Sequence, residues 1–385
     1  MLWAGTDNSV WLSLDDGANW NKLRLNMPPA PVYWLTVQEH FDDLVVGTYG
    51  RGFYILDDIG PLRALDAETL AADHAVFDVR PAYRFQNVQS IKTERSHVTG
   101  RNPRYGADIN YMLSEAGQSV AIVIEGPGGD TIRTLRGSSD EGMNRVYWDL
   151  RHEPTRRARL RTTPPGMPWV PLGPEGWRPL RTWDLDLNRG QLGPLVVPGT
   201  YTARITVGDD EVTRPVEVVK DPTTEGTMDD IRAQVALSLQ MRDQINEVVD
   251  MIDRLEWSRK QLEDLGEMLS GDDEAQAVIT EAARLLDEAI SVEGTLYDVN
   301  LTGAREDAFR SAMRLYGRFS ALASDLGAMG ADFPPTVPQQ EVHQVLTDRL
   351  SDTKARFDVL MNQEVETLNA MLRERKLPVI ISDMP

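Results

Sequence analysis

Ser13-Leu14-Asp15-Asp16-Gly17-Ala18-Asn19-Trp20 is the stretch that decides how this chain is read. Its Ser and Asp side chains can exchange hydrogen bonds with nearby backbone groups and so close a compact turn. Gly17 supplies a backbone free to take φ > 0. Trp20 then opens a strand with a ring large enough to bury between neighbouring sheets. Upstream, Leu2-Trp3-Ala4-Gly5-Thr6 reads as a strand, and Val10-Trp11-Leu12-Ser13 reads as its hairpin partner across the Asp7-Asn8-Ser9 turn. Downstream, Leu44-Val45-Val46-Gly47-Thr48-Tyr49-Gly50-Arg51-Gly52-Phe53-Tyr54-Ile55-Leu56-Asp57-Asp58 repeats the rhythm of Gly-Thr, turn and aromatic strand. Gly5-Thr6 recurs as Gly47-Thr48 at a separation that suits one repeat of a sheet architecture.

Ser13, Asp15, Gly17 and Trp20 fit Ser-x-Asp-x-Gly-x-x-Trp, the Asp-box or BNR repeat, which turns between the last two strands of a β-propeller blade. The run from Gly47 to Asp58 looks like the closing segment of the propeller in large secreted bacterial proteins. Together they make the chain resemble the sortilin-like and BNR-repeat glycosyl hydrolase families. The resemblance implies an extracytoplasmic destination and assigns the box a structural duty. A propeller needs several blades to close, and residues 1–62 supply one and a fraction. The expectation is a C-terminal portion of a longer protein. Its first partner is then the remaining blades, in the same parent or on a separately encoded chain.

Composition narrows the function classes. The net charge is −20, and residues 225–385 hold 31 Asp/Glu against 16 Lys/Arg. Such a surface repels nucleic acid and anionic lipid. There are no cysteines, which excludes disulfides and thiolate metal sites. His40, His74, His97, His152 and His343 form no ligand-spaced pair. No stretch is long and apolar enough to insert in a membrane, and no signal peptide is read at the N-terminus. Only six of the 40 basic residues are Lys, an Arg bias that suggests a high-GC genome.

Along the chain, residues 63–107 read as a connector and residues 108–221 as a β-sandwich of short strands separated by turns. Asn144-Arg145-Val146-Tyr147-Trp148-Asp149-Leu150 and Pro198-Gly199-Thr200-Tyr201-Thr202-Ala203-Arg204-Ile205 resemble the immunoglobulin-like domain of the flagellar hook-capping protein. A long insertion, residues 152–196, interrupts the sandwich and calls for an explanation. Its Arg156, Arg157, Arg159, Trp169, Trp177 and Trp183 offer a partner-binding surface for an acidic protein or a carbohydrate. The competing reading docks those Trp residues on the rest of the protein and pairs the Arg residues with the acidic helices. Residues 224–385 switch to helical period. Thr227 reads as an N-cap, and Ile245, Val248, Ile252, Leu255, Leu262 and Leu269 form an apolar stripe. A second helix runs from Ala275 to Glu293. A third opens at Gly303 and carries Phe309, Met313, Tyr316 and Leu322. A last runs from Gln339 to about Arg375. Four such helices with short connections suggest an antiparallel bundle.

The fold class is therefore multidomain β plus α: the end of an Asp-box propeller, an immunoglobulin-like sandwich and an acidic four-helix bundle. A sialidase-type site needs an Arg cluster, a Tyr nucleophile beside a Glu, and an Asp acid/base gathered from many blades. Residues 1–62 cannot assemble that set. Glu39, Asp42 and Asp43 could mimic a glycosidase carboxylate pair, but they read better as solvated loop charges. Asp57-Asp58 could bind a cation or cap a turn, and the cap reads better. Gly47-x-x-Gly50-x-Gly52 lacks the Lys-Ser/Thr of a phosphate loop, and there is no Gly-x-Ser-x-Gly elbow. No catalytic residue, cofactor or metal is assigned. The expected role is non-catalytic binding or scaffolding. The alternative is a piece of a propeller glycoside hydrolase whose catalytic residues lie in upstream blades.

Overall fold

The computed structural model describes residues 1–23, 26–85, 100, 102–181, 191–304, 306–310, 312–328 and 332–383. They form a mixed β and α chain in two compact units, Met1–Arg151 with Pro198–Thr223, and His152–Val197 with Thr224–Pro385.

In the first unit, β1 (Leu2–Gly5), β2 (Val10–Ser13) and β3 (Asn21–Lys22) form one antiparallel meander. β4 (Val32–Gln38), β5 (Asp43–Thr48) and β6 (Phe53–Leu56) form another. Side chains of a strand alternate between the two faces of its sheet. Leu35, Val37, Leu44, Val46, Tyr54 and Leu56 point into a small core that also holds Trp3, Val10 and Ile59. The opposite face of β4–β6 also carries large apolar side chains, beside Thr36 and the polar Gln38–Asp43 row at one end. Trp34, Gly47 and Phe53 lie in one cross-strand row, and Thr36, Val45 and Ile55 in the next. This face is open: Trp34 is 72% and Phe53 81% exposed. Beside them Tyr33 and Tyr49, also exposed, meet edge to face at 5.6 Å.

Two short helices follow, α1 (Gly60–Arg63) with Pro61 in its first turn, and α2 (Ala67–Ala71) capped by the Asp66 side chain. The chain then runs through β7 (His74–Val76), β8 (Ala82–Arg84), β9 (Ala107–Leu113), β10 (Val120–Glu125), β11 (Thr131–Arg136) and β12 (Gly142–Trp148). Residues 152–197 belong to the second unit and carry the two-residue strands β13 (Arg159–Leu160) and β14 (Arg178–Pro179). The first unit resumes with β15 (Gly199–Val207) and β16 (Asp210–Lys220). One sheet has the order β12-β9-β7 and the other β11-β10-β15-β16-β8, where β8 joins β16 in parallel. The stretch 63–107, read from sequence as a connector, thus contributes a strand to each sheet. Residues 76–85 read as short and strand-like within that connector, but strands of three residues are too short for alternation to show which sheet they join.

Alternating residues of β10 (Val120, Ile122, Ile124) and β15 (Tyr201, Ala203, Ile205, Val207) are buried. Trp148 at the end of β12 is wholly buried, packs edge to face with Tyr201 at 5.2 Å, and donates from Nε1 to the Arg151 carbonyl at 2.9 Å. Gly106 permits this approach. Its φ is +128°, and a Cβ there would fall 2.0 Å from the Trp148 carbonyl oxygen. An ionic network ties the β5–β6 region to β9 and β12. Arg80 reaches Asp43 at 3.4 Å and Asp108 at 3.0 Å, while Arg145 donates to Asn110 Oδ1 at 2.7 Å. Burial raises the Asp108 carboxyl above its ordinary value despite these two guanidinium groups.

In the second unit, α3 (Met228–Met268) starts at a reciprocal cap between Thr227 and Asp230, and positive-φ Gly271 follows its end. α4 (Gln276–Leu296) returns beside it. The third helix expected from Gly303 is broken. Asp307 accepts backbone N–H bonds from Thr302, Gly303 and Ala304 at 2.7, 2.8 and 3.1 Å. This local ring competes with helix extension. Only the turn α5 (Asp307–Arg310) forms before α6 (Leu315–Ala323), and Phe309 is exposed. The last helix is α7 (Val337–Val359), a π-turn over Leu360–Glu364, and α8 (Val365–Glu374). The tail packs back: Ile380 N–H donates to Asn369 Oδ1 at 2.7 Å, and Asn369 Nδ2 donates to the Ile380 carbonyl at 2.9 Å.

One core unites these helices through the expected stripe residues, among them Ile245, Ile252, Leu285, Tyr316, Leu350 and Leu368. Ala158, Leu160 and Leu180 of the insertion join it. The insertion, filed by sequence with the sandwich, therefore packs with the helices.

Candidate functional site

The Ser13–Trp20 turn closes on itself. Ser13 Oγ donates to Asp15 Oδ1 at 2.9 Å, and Gly17 N–H donates to Ser13 Oγ at 2.8 Å. Asn19 donates from its backbone N–H to Asp15 Oδ1 at 2.8 Å and from its side chain to Oδ2 at 2.7 Å. The Asn19 backbone and side-chain bonds, with Ser13, hold the Asp15 carboxyl below its ordinary range. Both Asp15 oxygens are thus engaged within the turn. Gly17 has φ +96°, as the turn requires. Trp20 leads into β3 but is 40% exposed, its ring lying close to Gly17. The burial expected of this ring is not supplied by the described residues.

The loop carboxylates have structural partners as well. Asp42 pairs with Arg63 at 2.8 Å, and Asp43 Oδ1 accepts the Asp58 N–H at 2.9 Å. Asp58 accepts from Gly60 N–H at 3.2 Å and from Asn110 Nδ2 at 3.1 Å. Glu39 is exposed on its loop.

The insertion holds the other candidate. Arg156, Arg157, Arg159 and Trp177 line one cleft of about 700 Å³, together with Glu175, Arg181 and Asp253. Arg156 forks onto Asp250 at 2.5 and 2.6 Å. Arg159 lies over the Trp177 ring, 5.6 Å from its centroid, and its N–H donates to Asp253 Oδ1 at 2.7 Å. Trp177 Nε1 donates to Glu175 Oε2 at 2.8 Å. Trp169 stands outside the cleft lining and is 73% exposed. Trp183 lies outside the described residues. Part of the Arg set thus pairs with α3, as the competing sequence reading holds, and part faces the cleft.

A buried polar cluster holds the residues that follow β13 against α3, and sequence reasoning missed it. Glu256 accepts N–H bonds from Arg161 at 2.6 Å and Thr162 at 2.7 Å, and the Tyr297 hydroxyl at 2.7 Å. Arg259 lies between Glu256 and Glu293, pairing with both. Arg178 donates to the Thr162 and Leu301 carbonyls at 3.2 and 2.7 Å. Burial and the neighbouring Glu256 push the Glu293 carboxyl well above its ordinary value. The available signal was Glu256 and Arg259 beside the stripe positions Leu255 and Leu262. An ion pair spaced i,i+3 at the edge of an apolar stripe reads as surface until its neighbours are known.

Among the described residues no group of three His, Asp or Glu could hold a metal ion, and no helix is long and apolar enough to cross a membrane. No family model and no curated protein matches the chain. Among solved structures it is similar to "pT26-6p", at 14% identity over 66% of this chain and 45% of that one, with a TM-score of 0.14. The chain thus spans less than half the length of that structure, and a likeness this slight carries no argument.

Proposed function

We propose that this chain is a non-catalytic binding and scaffolding segment of a secreted Asp-box propeller protein. On this reading β1–β6 supply blade structure, the β7–β12 and β15–β16 sheets are an immunoglobulin-like sandwich, and the helices are a bundle. One observation carries the reading: the β4–β6 sheet has large apolar side chains on both faces, one face in a core and Trp34, Phe53 and Ile55 of the other exposed. An antiparallel sheet that faces water carries polar residues on that side. A blade needs neighbours on both faces, so Trp34, Phe53 and Ile55 are the residues that further blades would cover. The Asp-box supports the non-catalytic part, since its Ser, Asp and Asn groups bond one another.

Purified chain is expected to release no product from a panel of aryl glycosides and sialosides beyond a heat-denatured control. Turnover that disappears on substituting a residue of this chain contradicts the proposal.

A further inference from the structure

The geometry points to the Arg157–Arg181 cleft as a binding site for a short oligosaccharide bearing carboxylates, a uronic-acid oligomer. The inference goes beyond scaffolding and stands on other residues, so its failure leaves the propeller reading untouched.

Four guanidinium groups line the cleft, but Arg156 is neutralised by Asp250 and Arg159 is laid on Trp177. Arg157 and Arg181 are exposed and make no ion pair among the described residues. Residues 225–385 of the same unit hold 31 acids against 16 bases, so an anion binds this unit only where basic groups cluster locally. A guanidinium presents a planar fork that matches a carboxylate with two parallel hydrogen bonds.

The other lining groups select the rest of the ligand. Trp177 is partly exposed and gives the cleft an apolar wall suited to the C–H face of a sugar ring. Glu175 and Asp253 add acceptors in the same cleft. They accept from hydroxyl donors, which a sugar acid carries beside each carboxylate and which a fully ionised polyphosphate lacks. A sugar acid offers both a carboxylate for the arginines and hydroxyls for these carboxylates. The cleft of about 700 Å³ lies within the usual range of small-molecule sites. Its frame is rigid: β13 pairs with β14, and the Glu256 cluster anchors the following residues, Arg161 and Thr162, to α3.

Isothermal titration calorimetry of the full chain with trigalacturonate tests this. Measurable binding is expected at low salt, weakened at least tenfold in Arg157→Gln/Arg181→Gln and in Trp177→Ala. Neutral galactotriose is expected to give no heat. Both arginines are exposed, so an unchanged melting curve will separate lost binding from lost fold. The inference is overturned if trigalacturonate does not bind, if the double variant binds it equally, or if tripolyphosphate or hexaglutamate binds in its place.

Discussion

Arg259→Leu is expected to destabilise the helical unit by about 3–5 kcal/mol, because it strands two buried carboxyl groups on one missing partner. Arg259, Glu256 and Glu293 are all essentially without solvent contact. Arg259 is the guanidinium that Glu256 and Glu293 share. Circular dichroism at 222 nm follows the unit's helices, and a fall in Tm of roughly 10 °C is expected for a unit of this size. An unchanged Tm means the pair contributes nothing. The same site sets a pH dependence. The folded-state pKa of Glu293 is raised above 4.5, so the native state holds a proton that the unfolded chain releases. That stabilising contribution is complete below the unfolded value and is lost as pH rises through the raised folded value. Glu293→Gln keeps the neutral form at all pH and is expected to flatten the slope of Tm against pH above about pH 5. Identical slopes in the two proteins contradict the assignment of that proton.

Trp148→Ala is expected to cost the first unit about 3–5 kcal/mol, the range for deleting a fully buried aromatic side chain. Trp148 is wholly buried, its ring joins the two sheets through Tyr201, and its Nε1–H has the Arg151 carbonyl as acceptor. Trp148→Phe retains an aromatic ring and loses that hydrogen bond, worth about 1 kcal/mol, plus part of the packing. Guanidinium unfolding of the full chain, read by amide hydrogen exchange in β9, β10 and β15, separates this unit from the helices. Equal protection of those strands in wild type and Trp148→Ala contradicts the placement of the ring.

What was legible in the sequence follows the length and regularity of each pattern. The stripe Ile245–Leu269 and the cap at Thr227 could be read because a helix of 41 residues repeats its signal many times. The Ser13–Asp15–Gly17–Asn19 turn could be read because short polar side chains bonding their own backbone act locally. Residues 76–85 read as short and strand-like, but the sheets that β7 and β8 join could not be read because their partners, β9 and β16, lie far along the chain. The Gly303 helix was misread because its apolar spacing was intact while Asp307 captured the N–H groups of Thr302, Gly303 and Ala304. In the cleft, Arg156, Arg157, Arg159 and Trp177 were named from composition. Arg181, Glu175 and Asp253 were not, because only the docking of residues 158–180 on α3 brings Asp253 beside them.

The central claim is that the bare face of β4–β6 is built to be covered by another sheet. Sedimentation velocity of the full chain at rising concentration, beside Trp34→Glu/Phe53→Lys, tests it directly. Both positions are exposed, so the substitutions are expected to leave Tm nearly unchanged. Concentration-dependent self-association of the wild type, abolished in the double variant, is the predicted result, because an uncovered apolar sheet face seeks any partner available. Identical monomeric sedimentation of both proteins across the whole range would contradict the account.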